Sequence, residues 1–280
     1  MSKPVFLLMP EWQGSASSRA MQLAEGASIL REDLPRSVLH EVSVPLEAGD
    51  ALGTPVARLS SVLQAHEAAQ KTLATADGIP IIVGGDCATS LPGLEAAVQK
   101  HGDGLAVLWF DAHPDLQHPS TSPSGAASGM TLRHALGGGS PELASAHPIL
   151  ASNLTLVGTR AVDPEEQSEI EQLKISVLPA SESDLADAIT TRLSELDASH
   201  VYIHLDLDVL DPAEFMAVHE PVPFGLGVSQ VTAAIRAAVA ALPLAGASIC
   251  EFAPADASMA AEEQPTVLRL LAALTSGSKE

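Results

Sequence analysis

Two stretches of the chain set metal-binding side chains at short, regular spacing. One is Asp111-Ala112-His113-Pro114-Asp115; the other is His204-Leu205-Asp206-Leu207-Asp208-Val209-Leu210-Asp211-Pro212. Each follows an apolar run that reads as a buried strand, Leu105–Phe110 and Val201–Ile203. In extended chain, residues i, i+2 and i+4 share a face. Asp111, His113 and Asp115 are therefore expected to point one way, and so are Asp206 and Asp208. Five ligand-type side chains would then converge, four of them carboxylates. Without a cation such a group repels itself strongly. Carboxylates with one imidazole suit Mn²⁺ or another hard-to-borderline divalent ion. The pair of clusters reads as the floor of a metal site.

The elements that must position these residues alternate along the chain. Short apolar runs predict strands at Val5–Met9, Pro80–Val83, Leu105–Phe110, Leu154–Val157, Ile175–Leu178, Val201–Leu205 and Ala247–Glu251. Ala- and Leu-rich amphipathic segments predict helices near Ser17–Leu30, Val56–Thr75, Ser90–His101, Thr131–Ala135, Pro164–Leu173, Ser183–Leu196, Ser229–Ala241 and Met259–Leu274. Asp163-Pro164 reads as a helix start with proline at the first position, and Ser183-Asp184 as a cap. Repeated strand–helix–strand order predicts an α/β fold, a parallel sheet covered by helices on both faces. There is no internal repeat and no linker, so residues 1–280 are expected to form one domain. In open parallel sheets, ligands bind beyond the carboxyl ends of the strands. Four polar clusters fall at such ends: Gly84-Gly85-Asp86-Cys87, Asp111 to Asp115, Asp206 to Asp208, and Glu251. Their common position predicts a single site.

Composition narrows the partners. Lys plus Arg number 14 against 35 Asp plus Glu, a formal charge of −21. That argues against a nucleic-acid or anionic-membrane partner and favours cationic substrates and divalent ions. The two cysteines, Cys87 and Cys250, cannot make a disulfide framework, which fits a reducing cytoplasm. No signal peptide and no 18-residue apolar span is visible.

The four clusters, in this order, resemble the arginase–agmatinase (ureohydrolase) family. The pieces that carry the resemblance are Gly84-Gly85-Asp86-Cys87-Ala88-Thr89-Ser90, Asp111 to Asp115, Asp206 to Pro212, Glu251 within Cys-Glu-Phe-Ala-Pro, and Gly158-Thr159-Arg160-Ala161-Val162-Asp163. The resemblance implies a three-layer αβα sandwich around a mainly parallel sheet of about eight strands, shared with the zinc deacetylases. It also implies a manganese hydrolase with two ions per chain, acting on linear guanidino compounds as a trimer or hexamer. Asp111 and Asp206 would then bridge both ions, with Cys87 and Asp115 completing one position and His113 and Asp208 the other. Asp208, Glu251 and Ser128 fall at catalytic positions, Glu251 also holding the guanidinium. Gln117, Ser124, Asp163 and Glu166 fall around the substrate's amino-acid head group.

Three departures from the family pattern matter, at Cys87, at Ser128, and at Ala126 with its neighbour Gln117. Cys87 stands where the family has a metal-binding histidine. It reads either as a thiolate ligand better suited to Zn²⁺ than to Mn²⁺, or as a small buried residue. Cys250 precedes Glu251 on a predicted strand and is expected to face away from the site. Ser128 replaces the family's shuttle histidine, and serine has no pKa near 7 with which to do that work. His118 and His219 lie on loops within reach; each is expected to be solvated, with substitution for the shuttle as the other reading. Ala126 replaces a head-group asparagine, and Gln117 another. His204 is expected to be a core histidine rather than a support for Asp206. Asp86 is expected to position its loop.

The expected activity is hydrolysis of a C–N bond in a linear guanidino or amidine compound, giving urea or an amide plus an amine. Two rivals stand beside it. One is a single-metal, deacetylase-like amidohydrolase built on Asp111, His113 and Asp206. The other is a catalytically weak relative that binds metal or ligand without turnover.

Overall fold

The computed structural model describes residues 3–277. Among them are eight strands: β1 (Pro4–Met9), β2 (Leu39–Glu41), β3 (Ile79–Gly84), β4 (Leu105–Phe110), β5 (Leu154–Val157), β6 (Ser176–Leu178), β7 (His200–Asp206) and β8 (Leu244–Cys250). Eight α-helices accompany them: α1 (Met21–Arg31), α2 (Leu59–Leu73), α3 (Leu91–His101), α4 (Thr131–Ala135), α5 (Pro164–Leu173), α6 (Leu185–Ser194), α7 (Val228–Ala241) and α8 (Ala257–Leu274). The strands form one sheet in the order β2-β1-β3-β8-β7-β4-β5-β6, with every pairing parallel.

Strand alternation sorts the core into two layers. Phe6, Leu8, Ile81, Val83, Leu108, Phe110, Ile203, Leu205 and Ile249 pack against α1, α6, α7 and α8. Val107, Trp109 and Tyr202 face α2, α3, α4 and α5 on the other side, and Val5, Leu7, Met9 and Ile82 meet α2 there. The result is the αβα sandwich expected of the sequence. β4, Leu-Ala-Val-Leu-Trp-Phe, is buried at all six positions, as a strand covered on both faces must be. α7 buries Val228, Val231, Thr232, Ala234, Ile235, Ala238 and Val239, the stripe of a helix with one face on the sheet.

Most boundaries fall within a few residues of those expected. α1 begins at Met21 rather than Ser17. Strand β2 was not foreseen; it has three residues, none buried, and lies at the sheet edge. β8 stops at Cys250, so Glu251 lies outside the strand. No helix among the described residues is long and apolar enough to cross a membrane.

Candidate functional site

β3, β8, β7 and β4 are adjacent at the centre of the sheet, and their carboxyl ends carry the four polar clusters. After β3 the chain passes so close to the β1 loop that a Cβ on Gly85 would lie 1.4 Å from the Glu11 carbonyl oxygen. Only glycine allows this approach. The Gly85 carbonyl also accepts the Glu251 N–H at 2.8 Å, tying the loop to the end of β8. Asp86 caps the 3₁₀ turn Cys87–Ser90 through the Ala88 N–H at 2.9 Å, the positioning role expected of it.

The carboxylates converge by a route other than strand alternation. β4 ends at Phe110, and Asp111 to Asp115 form a loop. Asp111 Oδ1 accepts the His113 N–H at 2.7 Å, and Asp115 turns back with φ of 50°. Asp206 is the last residue of β7, and its Oδ1 accepts the Asp208 N–H at 2.8 Å across a 3₁₀ turn. Asp208 Oδ1 in turn accepts the Ala112 N–H at 2.9 Å, joining the two loops. Arg160 supports this turn by donating to the carbonyls of Asp208 at 2.8 Å and Val209 at 3.2 Å.

His113 Nδ1 lies 2.8 Å from Asp208 Oδ2 and 3.5 Å from Asp111 Oδ1. Burial opposes charge on this imidazole, but the two carboxylates outweigh it and push its pKa up to about 12. Burial likewise opposes ionisation of Asp111, and the imidazoles of His113 and His204 hold it well below the usual carboxylate range. The other acids lack such relief. Burial, then the charges of Asp208 and Asp111, raise Asp206 well above the usual range. Burial and Asp111 do the same to Asp115, whose Oδ2 is buried without a hydrogen-bond partner. Mutually repelling buried carboxyls with an orphaned oxygen are what a divalent cation relieves. Asp111, His113 and Asp208 offer ligand atoms within 4.8 Å of one another, and so do Cys87, Asp111, Asp115 and His204. The donor set therefore fits a divalent ion.

Cys250 does not face away. In the β7–β8 register it pairs with Asp206, and its Sγ lies 3.7 Å from Cys87 Sγ. Glu251, the next residue, has φ of 66°. This left-handed kink cancels the alternation and lets both side chains reach the site region. His204 is fully buried, as expected of a core residue, but it is more than that. Its Nδ1 meets Ser90 Oγ at 2.9 Å and Ser248 Oγ at 3.2 Å, while its Nε2 lies 3.7 Å from Asp111 Oδ2. Its place in the Asp206 cluster was visible in the sequence, but its contacts with Ser90, Ser248 and Asp111 depend on how the strands register.

Above the carboxylates opens a cavity of about 490 Å³, lined by Cys87, His113, Asp115, Asp206, Asp208 and Glu251 below and by Gln117, Ser124, Ser128, Asp163 and Glu166 towards its mouth. Asp111 lies beneath this surface. Burial, and next the Asp86 charge, raise the Glu251 carboxyl well above its usual range. Asp163 and Glu166 form the capping box that starts α5. Glu166 is nearly spent by it: Oε1 accepts the Leu116 N–H at 3.0 Å and Oε2 the Asp163 N–H at 3.1 Å. Gln117 donates to Asp163 Oδ2 at 3.3 Å, and Ser124 Oγ accepts the Ala126 N–H at 3.2 Å. His118 turns to Ser120 Oγ at 2.7 Å instead and is exposed. His219 lines the cavity, contrary to the expectation of a solvated residue. Its side chain is 3% exposed, with Nδ1 3.8 Å from Glu251 Oε2 and Nε2 3.3 Å from Gln22 Oε1.

Comparison with known proteins gives a consistent result. The sequence model of the Arginase family matches residues 14–274. The N(omega)-hydroxy-L-arginine amidinohydrolase of Streptomyces lavendulae is 31% identical over 93% of this chain and 94% of its own. Arginase from Bacillus subtilis superposes with a TM-score of 0.80 at 26% identity, covering 99% of both chains. Arginase from Entamoeba histolytica, solved with L-ornithine, gives a TM-score of 0.84 at 23% identity over 98% of both chains, a likeness of fold.

Proposed function

The chain belongs to the arginase family, and from that premise we propose that it is a binuclear metal-dependent hydrolase of a linear guanidino or amidine compound, releasing urea or an amide plus an amine. The observation that carries this reading is the meeting of metal-ligand side chains from four adjacent strand ends under one cavity that also contains the buried carboxyl of Glu251. N-hydroxyarginine and arginine are the first substrates to try, since the Streptomyces relative named for the former spans nearly the whole chain.

Asp111 and Asp206 would bridge two ions, with His113 and Asp208 completing one position and Asp115 and Cys87 the other. Bound there, two divalent ions supply Lewis acidity and a water of lowered pKa. The chain's own groups do the rest. Glu251, once ionised, accepts N–H donors from the guanidinium and fixes its plane over the carboxylate cluster. Pairing with that cation removes the cost of burying the Glu251 charge. Asp208, held by Ala112 and His113, accepts a hydrogen bond from the attacking water and orients it towards the guanidinium carbon. His219 is the imidazole placed to relay a proton to the departing amine: burial lowers its pKa, and its Nδ1, facing Glu251 without a hydrogen-bond partner, takes up the proton released by the attacking water before passing it on. Ser128 replaces the shuttle only as a hydrogen-bonding group. Gln117, Ser124 and Asp163 meet the head group at the mouth.

The test is release of the amine product, with urea, hydroxyurea or formamide as its counterpart, from arginine, N-hydroxyarginine, agmatine, guanidinobutyrate, guanidinopropionate and formiminoglutamate, with Mn²⁺ or Zn²⁺ bound. Release from at least one is expected. Silence across the panel with metal demonstrably bound would favour the non-catalytic rival.

A further inference from the structure

We propose that Cys87, Cys250, His204 and Asp206 form an ion site rich in thiolate and suited to Zn²⁺, set into the sheet beneath the carboxylate cluster. The four ligand atoms lie within 4.8 Å of one another. Cys87 Sγ is 3.7 Å from Cys250 Sγ and 2.9 Å from Asp206 Oδ2, and Cys250 Sγ is 3.9 Å from His204 Nε2. A tetrahedral zinc site with Zn–S near 2.3 Å and Zn–N near 2.0 Å sets its ligands about 3.3–3.8 Å apart. The Cys87–Cys250 and Cys250–His204 separations stand close to that spacing, and the Cys87–Asp206 pair would open by about half an ångström to admit the ion.

The surroundings are those of a supported ligand set. His204 Nδ1 has two hydroxyls to donate to, Ser90 Oγ and Ser248 Oγ. A ring that donates from Nδ1 to these hydroxyls turns its Nε2 lone pair to the thiols, the usual outer support of a metal-bound imidazole. The ring is further fixed by stacking on Trp109, with centroids 3.5 Å apart. All four side chains are buried. A second observation points the same way: Asp115 Oδ2 is buried and unpartnered, and Asp115 belongs with Cys87 and His204 to another group of ligand atoms within 4.8 Å. Packing alone accounts for one buried thiol. It does not account for two thiols, an imidazole and a carboxylate in mutual contact beside an orphaned carboxylate oxygen.

Ligand softness sets the ion. Thiolates select zinc over manganese, and carboxylates with one imidazole do the reverse. Binding releases the two thiol protons to solvent, leaving two sulfur–metal bonds. Cys87 and Asp206 are common to this site and to the binuclear positions, so zinc here takes the place of the ion that Cys87 and Asp115 would complete, and a soft position stands beside the hard one of Asp111, His113 and Asp208. The inference needs no substrate and no turnover, so it stands or falls separately from the hydrolase reading.

The test uses the full chain, stripped with chelator and given one equivalent of Co²⁺. A near-ultraviolet sulfur-to-cobalt absorption is expected, erased by added Zn²⁺ and reduced by about half in Cys250→Ser and in Cys87→Ser, one of two metal–sulfur bonds being lost in each. If Cys250→Ser leaves the band unchanged, or the unaltered protein shows none, the proposal is overturned. Zinc-edge X-ray absorption on the unaltered, zinc-loaded protein covers the case of variants that fail to fold. It should report two sulfurs at about 2.3 Å; one or none refutes the site.

Discussion

The indole of Trp109 donates its Nε1–H to Asp111 Oδ2 at 3.1 Å while its ring lies on His204, 10° from parallel. A single fluorophore thus touches a proposed bridging carboxylate and a proposed soft ligand. The chain has two tryptophans, Trp12 and Trp109. In a Trp12→Phe variant all indole emission comes from Trp109. Titrating the metal-free variant with Mn²⁺ or Zn²⁺ should change that emission along a saturable curve. A flat response, with binding established by calorimetry, would remove Asp111 and His204 from the metal site.

Glu251 tests the division of labour within the cavity. Glu251→Gln keeps the shape and removes the charge. Metal content should be unchanged, while kcat/KM for a guanidino substrate should fall about 100-fold, the order seen when one group stabilising developing charge is lost. Loss of metal instead would make Glu251 a ligand rather than a holder of substrate.

Glu166 faces the cavity mouth but spends both oxygens on the Leu116 and Asp163 N–H groups. Glu166→Ala should therefore lower stability, by about 1–2 kcal/mol as for other lost caps, read from urea unfolding midpoints. A large rise in KM with no loss of stability would restore the substrate-binding role expected from the sequence.

His134 governs part of the acid response. Burial, then the Arg133 and His66 charges, bring its pKa down to about 4, and its Nε2 accepts the Ser140 N–H at 3.2 Å. The folded state therefore takes up this proton less readily than the unfolded chain, whose histidine titrates near 6.5. The stability that comes from keeping His134 neutral is complete above about pH 6.5 and is lost as pH falls towards 4. His134→Gln should shrink the difference in unfolding free energy between pH 7.5 and 4.5 by up to about 3 kcal/mol. An unchanged difference would show that other groups dominate the acid response.

Much of this molecule was legible in its sequence, and the misreadings have identifiable causes. Central strands were found because two-sided burial writes an unbroken apolar run, as in Leu105–Phe110. β2 escaped because three edge residues, none buried, write no pattern. The convergence of Asp111, His113, Asp206 and Asp208 was anticipated, but for an incomplete reason: strands end at Phe110 and Asp206, and carboxylate-to-backbone hydrogen bonds fold the loops. Cys250 was misplaced because alternation was counted through Glu251, where φ is 66°. His204 and His219 were noted in the sequence, but their contacts were not legible there, since those of one depend on strand register and those of the other on how the loop before Pro221 is packed.

β8 comes last among the strands yet lies in the middle of the sheet, between β3 and β7. On the ribosome, everything through residue 243 can emerge while the two halves of the sheet still present raw edges to one another. The soft site proposed above would stay incomplete during that interval, because β8 delivers Cys250. Its loading would wait on the insertion of a seven-residue keystone, and a chain cut short before it would leave open strands for chaperones or for aggregation.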